Sequence, residues 1–251
     1  MTFTILAHDP EADQVGLGIA TVSLAVGGLC PFMTLEGDLV TSQAYARQET
    51  GLHVARRLSQ GAAWEAIMQE LEQTDPFLRH RQIAVVRRQG TLHCYSGPDC
   101  RPWTGHRFAE DCVVMGNFLC GEKVLERMAS AFVDSKGEPL PERLLRTLEA
   151  GRAAGGQADS DGRFYTERSS AVKVVGSGGI EGISDHAVAP VDLRVDMHDN
   201  AVSELRRLYQ ILHPVARYNA LRSSNPPETP GLAAWEAENM TAVLPPEPLR
   251  S

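Results

Sequence analysis

Thr2 opens the stretch Met1-Thr2-Phe3-Thr4-Ile5-Leu6-Ala7-His8-Asp9, and removal of Met1 makes it the chain terminus. Its hydroxyl then lies beside its own α-amine, which is partly neutral near pH 7 and can take the hydroxyl proton as the oxygen attacks an amide. Nucleophile and general base become one residue. If Met1 stays, Thr2 has no free amine, and Thr4, two residues on and on the same face of an extended segment, is the fallback hydroxyl. Many chains begin Met-Thr, so this start carries weight only in company.

An acyl transfer also needs hydrogen-bond donors where the carbonyl oxygen becomes negative. Asn117, after Gly116, offers a side-chain amide, and the backbone of Gly155-Gly156 offers N–H groups. Gln43 is a further polar candidate near the end of an apolar run, with an ordinary sheet-edge hydrogen bond as its equally weighted alternative. His106 follows Gly105 and can bind substrate or move protons, although a loop histidine bonded to backbone is the commoner case. Asp192, Arg194, Asp196 and His198 alternate along one predicted strand, which puts all four on one face. Such a row is more often an ion-pair network than a catalytic set, and the expectation is that it orients the site from behind. A metal site from Asp196 and His198 is conceivable, and no cofactor is expected.

Elements must hold these groups. Residues 2–9 are apolar and β-branched with no charge before His8 and predict a strand buried on both faces. A turn at 9–13 leads to a second strand over 14–26, forming a hairpin, and a third strand is expected over 38–46. Two helices follow, one with Leu52, Ala55 and Leu58 on a face, the other with Trp64, Ile67, Met68 and Leu71. Residues 82–87 and 91–95 predict a hairpin around Gln89-Gly90, and 112–118 a short strand. Leu125, Met128, Ala129 and Phe132 make one helical stripe, and Leu140, Leu144, Leu145 and Leu148 another that Gly151 stops. Residues 155–163 read as a polar flexible loop, 169–175 and 191–195 as closing strands, and Asn200 as the cap of a last helix whose Val202, Leu205, Leu208 and Leu212 face inward. From about Pro214 the periodicity fades, and Pro226-Pro227, Pro230, Pro245-Pro246 and Pro248 mark an extended tail with a short helix over 233–239. The division expected is one domain over 1–213 and a Pro-rich extension over 214–251.

The chain has 251 residues, 43% hydrophobic, with net charge −8 and scattered Lys and Arg. That suits one well-buried core and gives no basic face for nucleic acid. Five cysteines without a CxxC pair argue against a disulfide framework and a structural zinc, and fit free thiols in a reducing compartment. With no leader and no apolar run of membrane length, a cytoplasmic protein is expected. The predicted partners are a small amide substrate and a second copy of the chain as a homodimer, with neither nucleic acid nor membrane.

The opening hairpin, Thr2 to Asp9 and then Val15-Gly16-Leu17-Gly18-Ile19-Ala20-Thr21, resembles that of N-terminal-nucleophile (Ntn) hydrolases such as gamma-glutamyltransferase. The resemblance implies that Thr21, on the returning strand, is a second site threonine. More widely, Thr41-Ser42-Gln43-Ala44-Tyr45-Ala46, Trp103-Thr104-Gly105-His106 with Gly116-Asn117, Ala154-Gly155-Gly156, and residues 191–198 resemble a bacterial and archaeal family placed among the Ntn hydrolases, the domain of unknown function 1028 family, from Thr2 to about Leu212. Where that family carries a Gln-Ser pair this chain has Ser169-Ser170, which places Ser170 at a substrate-binding position. Residues 159–166 look inserted. Strand and helix order alone supports an α+β fold; the resemblance implies the four-layer αββα sandwich of the Ntn type, two stacked, mostly antiparallel sheets between helical layers. The activity implied is hydrolysis of a linear or cyclic amide, and the resemblance names no metal. The alternatives are a cyclohydrolase without a terminal nucleophile, as in archaeal IMP cyclohydrolase, and a metabolite-binding or scaffold protein that uses the same cleft without turnover.

Overall fold

The computed structural model describes residues 1–159, 161–176 and 188–240, with Val188, Ala189 and His213 described in backbone only. In chain order the elements are β1 (Thr2–Asp9), β2 (Gln14–Thr21), α1 (Val26–Leu29), β3 (Pro31–Met33), β4 (Leu39–Ala44), α2 (Gln48–Ser59), α3 (Trp64–Thr74), β5 (Arg81–Val86), β6 (Leu92–Ser96), β7 (Gly105–Ala109), β8 (Cys112–Asn117), α4 (Glu122–Asp134), α5 (Leu140–Ala153), β9 (Gln157–Ala158), β10 (Phe164–Tyr165), β11 (Ser169–Gly176), β12 (Val188–Val195), α6 (Ala201–Ser224) and α7 (Leu232–Asn239). Among the described residues one sheet runs β12-β11-β2-β1-β8-β7, a second β3-β4-β5-β6, and β9 and β10 form a small ribbon. The pairings are antiparallel throughout.

Side-chain alternation gives each large sheet two apolar faces. On the larger sheet, Phe3, Ile5 and Ala7 of β1 share a cluster with Val124, Leu125, Met128 and Phe132 of α4, the leucines of α5, and Ala201, Val202 and Leu205 of α6. The other face, with Leu6, Leu17, Ile19, Val113 and Met115, packs on Leu39, Ala84 and Val86 of the smaller sheet. The far face of that sheet, Val40, Ile83 and Val85, is covered by Val54, Leu58, Ile67 and Leu71 of α2 and α3. β1 is therefore buried on both faces, as its unbroken apolar run requires. Gly16 on β2 marks how closely α5 lies: a Cβ there would come within 2.6 Å of Leu144 Cδ1.

Several boundaries differ from the pattern-based expectation. The second strand stops at Thr21 rather than 26, because Ala25 turns to φ 55° and starts α1. β3 and β7, edge strands in their sheets, carry no period-2 apolar signal. The 155–163 loop contains part of the β9–β10 ribbon. α6 continues past Pro214 to Ser224, since residues beyond it fold back: Tyr218 packs at 5.4 Å, tilted by 36°, on Trp235 of α7 and donates its hydroxyl to Pro230 O at 3.2 Å. Asn200 caps α6, accepting from Ser203 N at 3.4 Å. The expected tail prolines Pro245, Pro246 and Pro248 lie outside the described residues. No helix among the described residues is long and apolar enough to cross a membrane.

Candidate functional site

Between the two sheets the side chains change character along the strands. Toward one end they are Leu6, Leu17, Ile19, Met115, Leu39, Ala84 and Val86. At the end where β1 begins, the same alternation delivers Thr2, Thr4, Thr21, Thr41, Gln43, Gln82, Asn117 and Ser169, all buried. Burying that many polar groups is costly unless they are bonded.

Register aligns four of them. Ser169 pairs with Thr21, Thr21 with Thr2, and Thr2 with Asn117, giving a row across β11, β2, β1 and β8. Thr2 Oγ1 and Thr21 Oγ1 are 3.2 Å apart, and Thr21 also donates to the Met1 carbonyl oxygen. Because the Met1 carbonyl carbon is bonded to the Thr2 nitrogen, Thr21 sits next to both the hydroxyl and the backbone nitrogen of Thr2. The Met1 α-amine is desolvated here, which lowers its pKa to about 6, while burial pushes the nearby Cys30 thiol up to about 12.

Behind the row lies a network whose orientation can be deduced. Gln82 directs one end of its amide at Gly116 O (3.0 Å) and Gly105 O (3.2 Å), and carbonyls only accept, so that end is the NH2 group. Its oxygen then receives Gln43 Nε2 at 3.1 Å and Asn117 Nδ2 at 3.0 Å. Gln43 Oε1 is left to accept from the Thr4 hydroxyl at 2.6 Å. Gln82 Nε2 also reaches Ser96 Oγ at 2.9 Å, which lies 3.0 Å from His106 Nδ1. After these assignments, among the described residues, Asn117 Oδ1 is buried without a partner and Asn117 Nδ2 spends one of its two N–H groups, on Gln82.

Each expected site residue has a definite place in this arrangement. Thr2, Thr21 and Asn117 meet in the row. Gln43 joins the network rather than a sheet edge. Thr4 is fully buried and its proton goes to a carboxamide oxygen, which is not a base, so the fallback nucleophile has neither access nor activation. His106, an exposed residue, touches the network through Ser96, and partial desolvation of its ring lowers its pKa. Gly155 and Gly156 do not offer free donors: their N–H groups bond to Arg152 O and Gly151 O at 3.0 Å as the end of α5. Ser170 points to the helical side and donates to Ala201 O at 2.8 Å. It is Ser169 that shares the face of the row, donating to Ser23 O at 2.7 Å and accepting from Val26 N at 3.1 Å.

The charged row is shorter than expected because β12 ends at Val195. Asp192 pairs with Lys173 at 2.6 Å and Arg194 with Asp196 at 3.5 Å, while His198 accepts from Asn200 N at 3.0 Å ahead of α6. Asp196 O accepts from Ala25 N at 2.9 Å, and a Cβ on Gly27 would lie 2.7 Å from Arg194 Cδ. The row thus braces the segment that follows Thr21. Sequence reading passed over Gln82, although one signal was available: it is the polar member of the alternation Gln82, Ala84, Val86. The described residues contain no cluster of His, Cys, Asp and Glu able to hold a metal.

Residues 2–205 match the model of the family of unknown function DUF1028. A crystal structure of a Silicibacter pomeroyi protein, described as DUF1028, matches with TM-score 0.69 and 29% identity, covering 84% of this chain and 88% of that one. Anbu, the ancestral beta-subunit from Yersinia bercovieri, aligns over 92% of this chain and 99% of that one at 11% identity, with a TM-score of 0.38 that carries no weight. No curated protein matches the chain.

Proposed function

The chain belongs to the family of unknown function DUF1028, and from that premise we propose that it is a small-molecule amidohydrolase of the Ntn type with Thr2 as nucleophile. The single observation that carries this reading is the hydroxyl pair of Thr2 and Thr21, placed beside the Thr2 backbone nitrogen at the start of a central strand. Removal of Met1 turns that nitrogen into an amine. In surroundings that depress the Met1 amine to about 6, a terminal amine is largely neutral at pH 7 and can accept the Thr2 proton. Thr21, relieved of the Met1 carbonyl, can then hydrogen-bond to the new amine and fix its direction.

In this mechanism the Thr2 oxygen attacks the substrate carbonyl, the amine passes the proton to the leaving nitrogen, and water resolves the acyl-enzyme by the same route in reverse. Asn117 supports it with its remaining N–H directed at the developing oxyanion. Its unpartnered Oδ1 suits a substrate N–H, and one side-chain amide that offers both a donor and an acceptor fits a cis amide in a ring. That observation favours a second reading, hydrolysis of a cyclic amide by the pocket groups without a terminal nucleophile. The arrangement of three apolar clusters, helices to sheet, sheet to sheet and sheet to helices, supports the four-layer αββα form that we include in the proposal.

The test is an intact-mass measurement followed by a panel of gamma-glutamyl, N-acyl amino acid and cyclic imide substrates. Protein lacking methionine should hydrolyse a member of the panel, and Thr2→Ala should bind it with turnover reduced on the order of a thousandfold or more. Activity in protein that keeps Met1 selects the second reading. If no amide is hydrolysed, both hydrolase readings fall.

A further inference from the structure

The strands that carry Gln43 and Gln82 run on into a cavity that the Thr2 chemistry leaves unused. Its volume is about 480 Å3, within the size range of small-molecule sites, and it is lined by Tyr45, Phe77, His80, Arg81, Asp99 and Arg101. Tyr45 lies two residues beyond Gln43 and Arg81 one residue before Gln82, so the cavity opens at the same end of the sheets as the Thr2 row.

Most of the charge in its wall is already spent. Arg81 forks onto the buried Asp75, through Nε at 2.5 Å and Nη2 at 3.0 Å, and donates its last nitrogen to Tyr45 O. Asp99 is held by Arg79 at 2.7 and 3.1 Å. His80 directs Nδ1 at Asp99 O at 3.1 Å, and since that carbonyl can only accept, the ring carries its proton there. Arg101 is different. Among the described residues its guanidinium has neither an ion pair nor a hydrogen bond. Two large aromatic side chains in the same wall stand open: Tyr45 is 47% exposed and Phe77 61% exposed, with the His80 ring edge-on to Tyr45 at 5.7 Å.

A guanidinium without an ion pair and two open aromatic rings in the wall of one cavity suit an anion with an apolar body. We propose that this cavity is a binding site for an aromatic carboxylate, taking the ring against Tyr45 and Phe77 and the carboxylate on Arg101, apart from the Thr2 row, none of whose residues lines it. The assignment does not rest on the hydrolase reading, and the binding it describes does not need turnover.

The test therefore uses the full chain carrying Thr2→Ala and titrates three probes by calorimetry: N-benzoylglycine with ring and carboxylate, benzamide with the ring only, and N-acetylglycine with the carboxylate only. N-benzoylglycine should bind tightest. Arg101→Gln should weaken it about tenfold, the loss of one charged contact of about 1.4 kcal/mol, and Arg101→Lys should recover part of that. Tyr45→Leu should weaken N-benzoylglycine and benzamide alike. Raising the salt concentration should weaken N-benzoylglycine but not benzamide, a readout that needs no variant. Absence of N-benzoylglycine binding, equal binding after Arg101→Gln, or N-acetylglycine binding as tightly would overturn the proposal. Binding with the predicted pattern in a protein that hydrolyses no amide would leave the pocket standing and remove the hydrolase; turnover of an amide without this binding would do the reverse.

Discussion

Replacing Gln82 with leucine tests the idea that one buried carboxamide holds the site together. The two side chains have similar volume, so the change removes hydrogen bonds without opening a large cavity. Gln43 Nε2 and Asn117 Nδ2 lose their shared acceptor, Ser96 Oγ, Gly105 O and Gly116 O lose a donor, and each buried group left unpaired costs about 1–3 kcal/mol. Burying a leucine in place of the amide returns roughly 1.5–3 kcal/mol. Counting only the two stranded amide donors, the net loss is at least about 2 kcal/mol, which for a chain of this size lowers Tm by roughly 4–8 °C or more. Urea unfolding measures the free energy, and a double-mutant cycle with Asn117→Ala isolates the link. Once Gln82 is gone Asn117 has lost its anchor, so the second substitution should cost less than it does in the native background, with a coupling of at least about 0.5 kcal/mol. Activity should fall mainly in kcat, because Asn117 is freed to rotate. Strict additivity, or a Gln82→Leu protein as stable and as active as the native one, would refute the reasoning.

Three further outcomes are expected. Asp75→Asn leaves the Arg81 guanidinium, 8% exposed, without its counter-charge, and should cost about 3–5 kcal/mol at pH 7. Burial alone pushes the Asp75 carboxyl up, but Arg81, Phe77 N–H and Thr50 outweigh it and hold the group below the usual range; the native protein loses this contribution as pH falls through the folded pKa, so the gap between native and variant in unfolding free energy should close in acid. Glu167, 2% exposed and raised by burial, behaves in the opposite sense: its folded pKa exceeds the unfolded one, so it costs stability as pH rises above about 4.5. Glu167→Gln should be more stable than native at pH 7 and indistinguishable from it well below pH 4.5 in the same unfolding assay. Ending the chain after Asn225 removes α7 and uncovers Tyr218, but touches none of the three apolar clusters, so the main thermal transition should move by only a few degrees; a collapse of the transition would show that the last segment is part of the core.

Composition and periodicity were enough to locate what is local. The apolar run of β1 and its hairpin with β2, the stripes of α3 to α5, and the Asn200 cap all follow from residues within a few positions of one another, where alternation or a 3.6-residue repeat leaves little choice; in α2 the expected Leu52 is 55% exposed and Val54 joins Ala55 and Leu58 on the buried face. Short edge strands such as β3 and β7 gave no such signal, and α6 outran its own periodicity because residues that follow it in the chain, around Trp235, pack against it. The candidate site divides along the same line. Thr2, Thr21, Gln43 and Asn117 were legible as residue types near strand ends, and only the register of four strands put Thr2 between Thr21 and Asn117. Ser170 against Ser169 is a choice of one residue that a strand's two-residue period turns into opposite faces. Whether Gly155 and Gly156 have free N–H groups depends on where α5 ends. Gln82 orients Gln43 and Asn117 because two carbonyls from another sheet can only accept its hydrogens. That constraint exists once the sheets are stacked, and no spacing in the sequence states it.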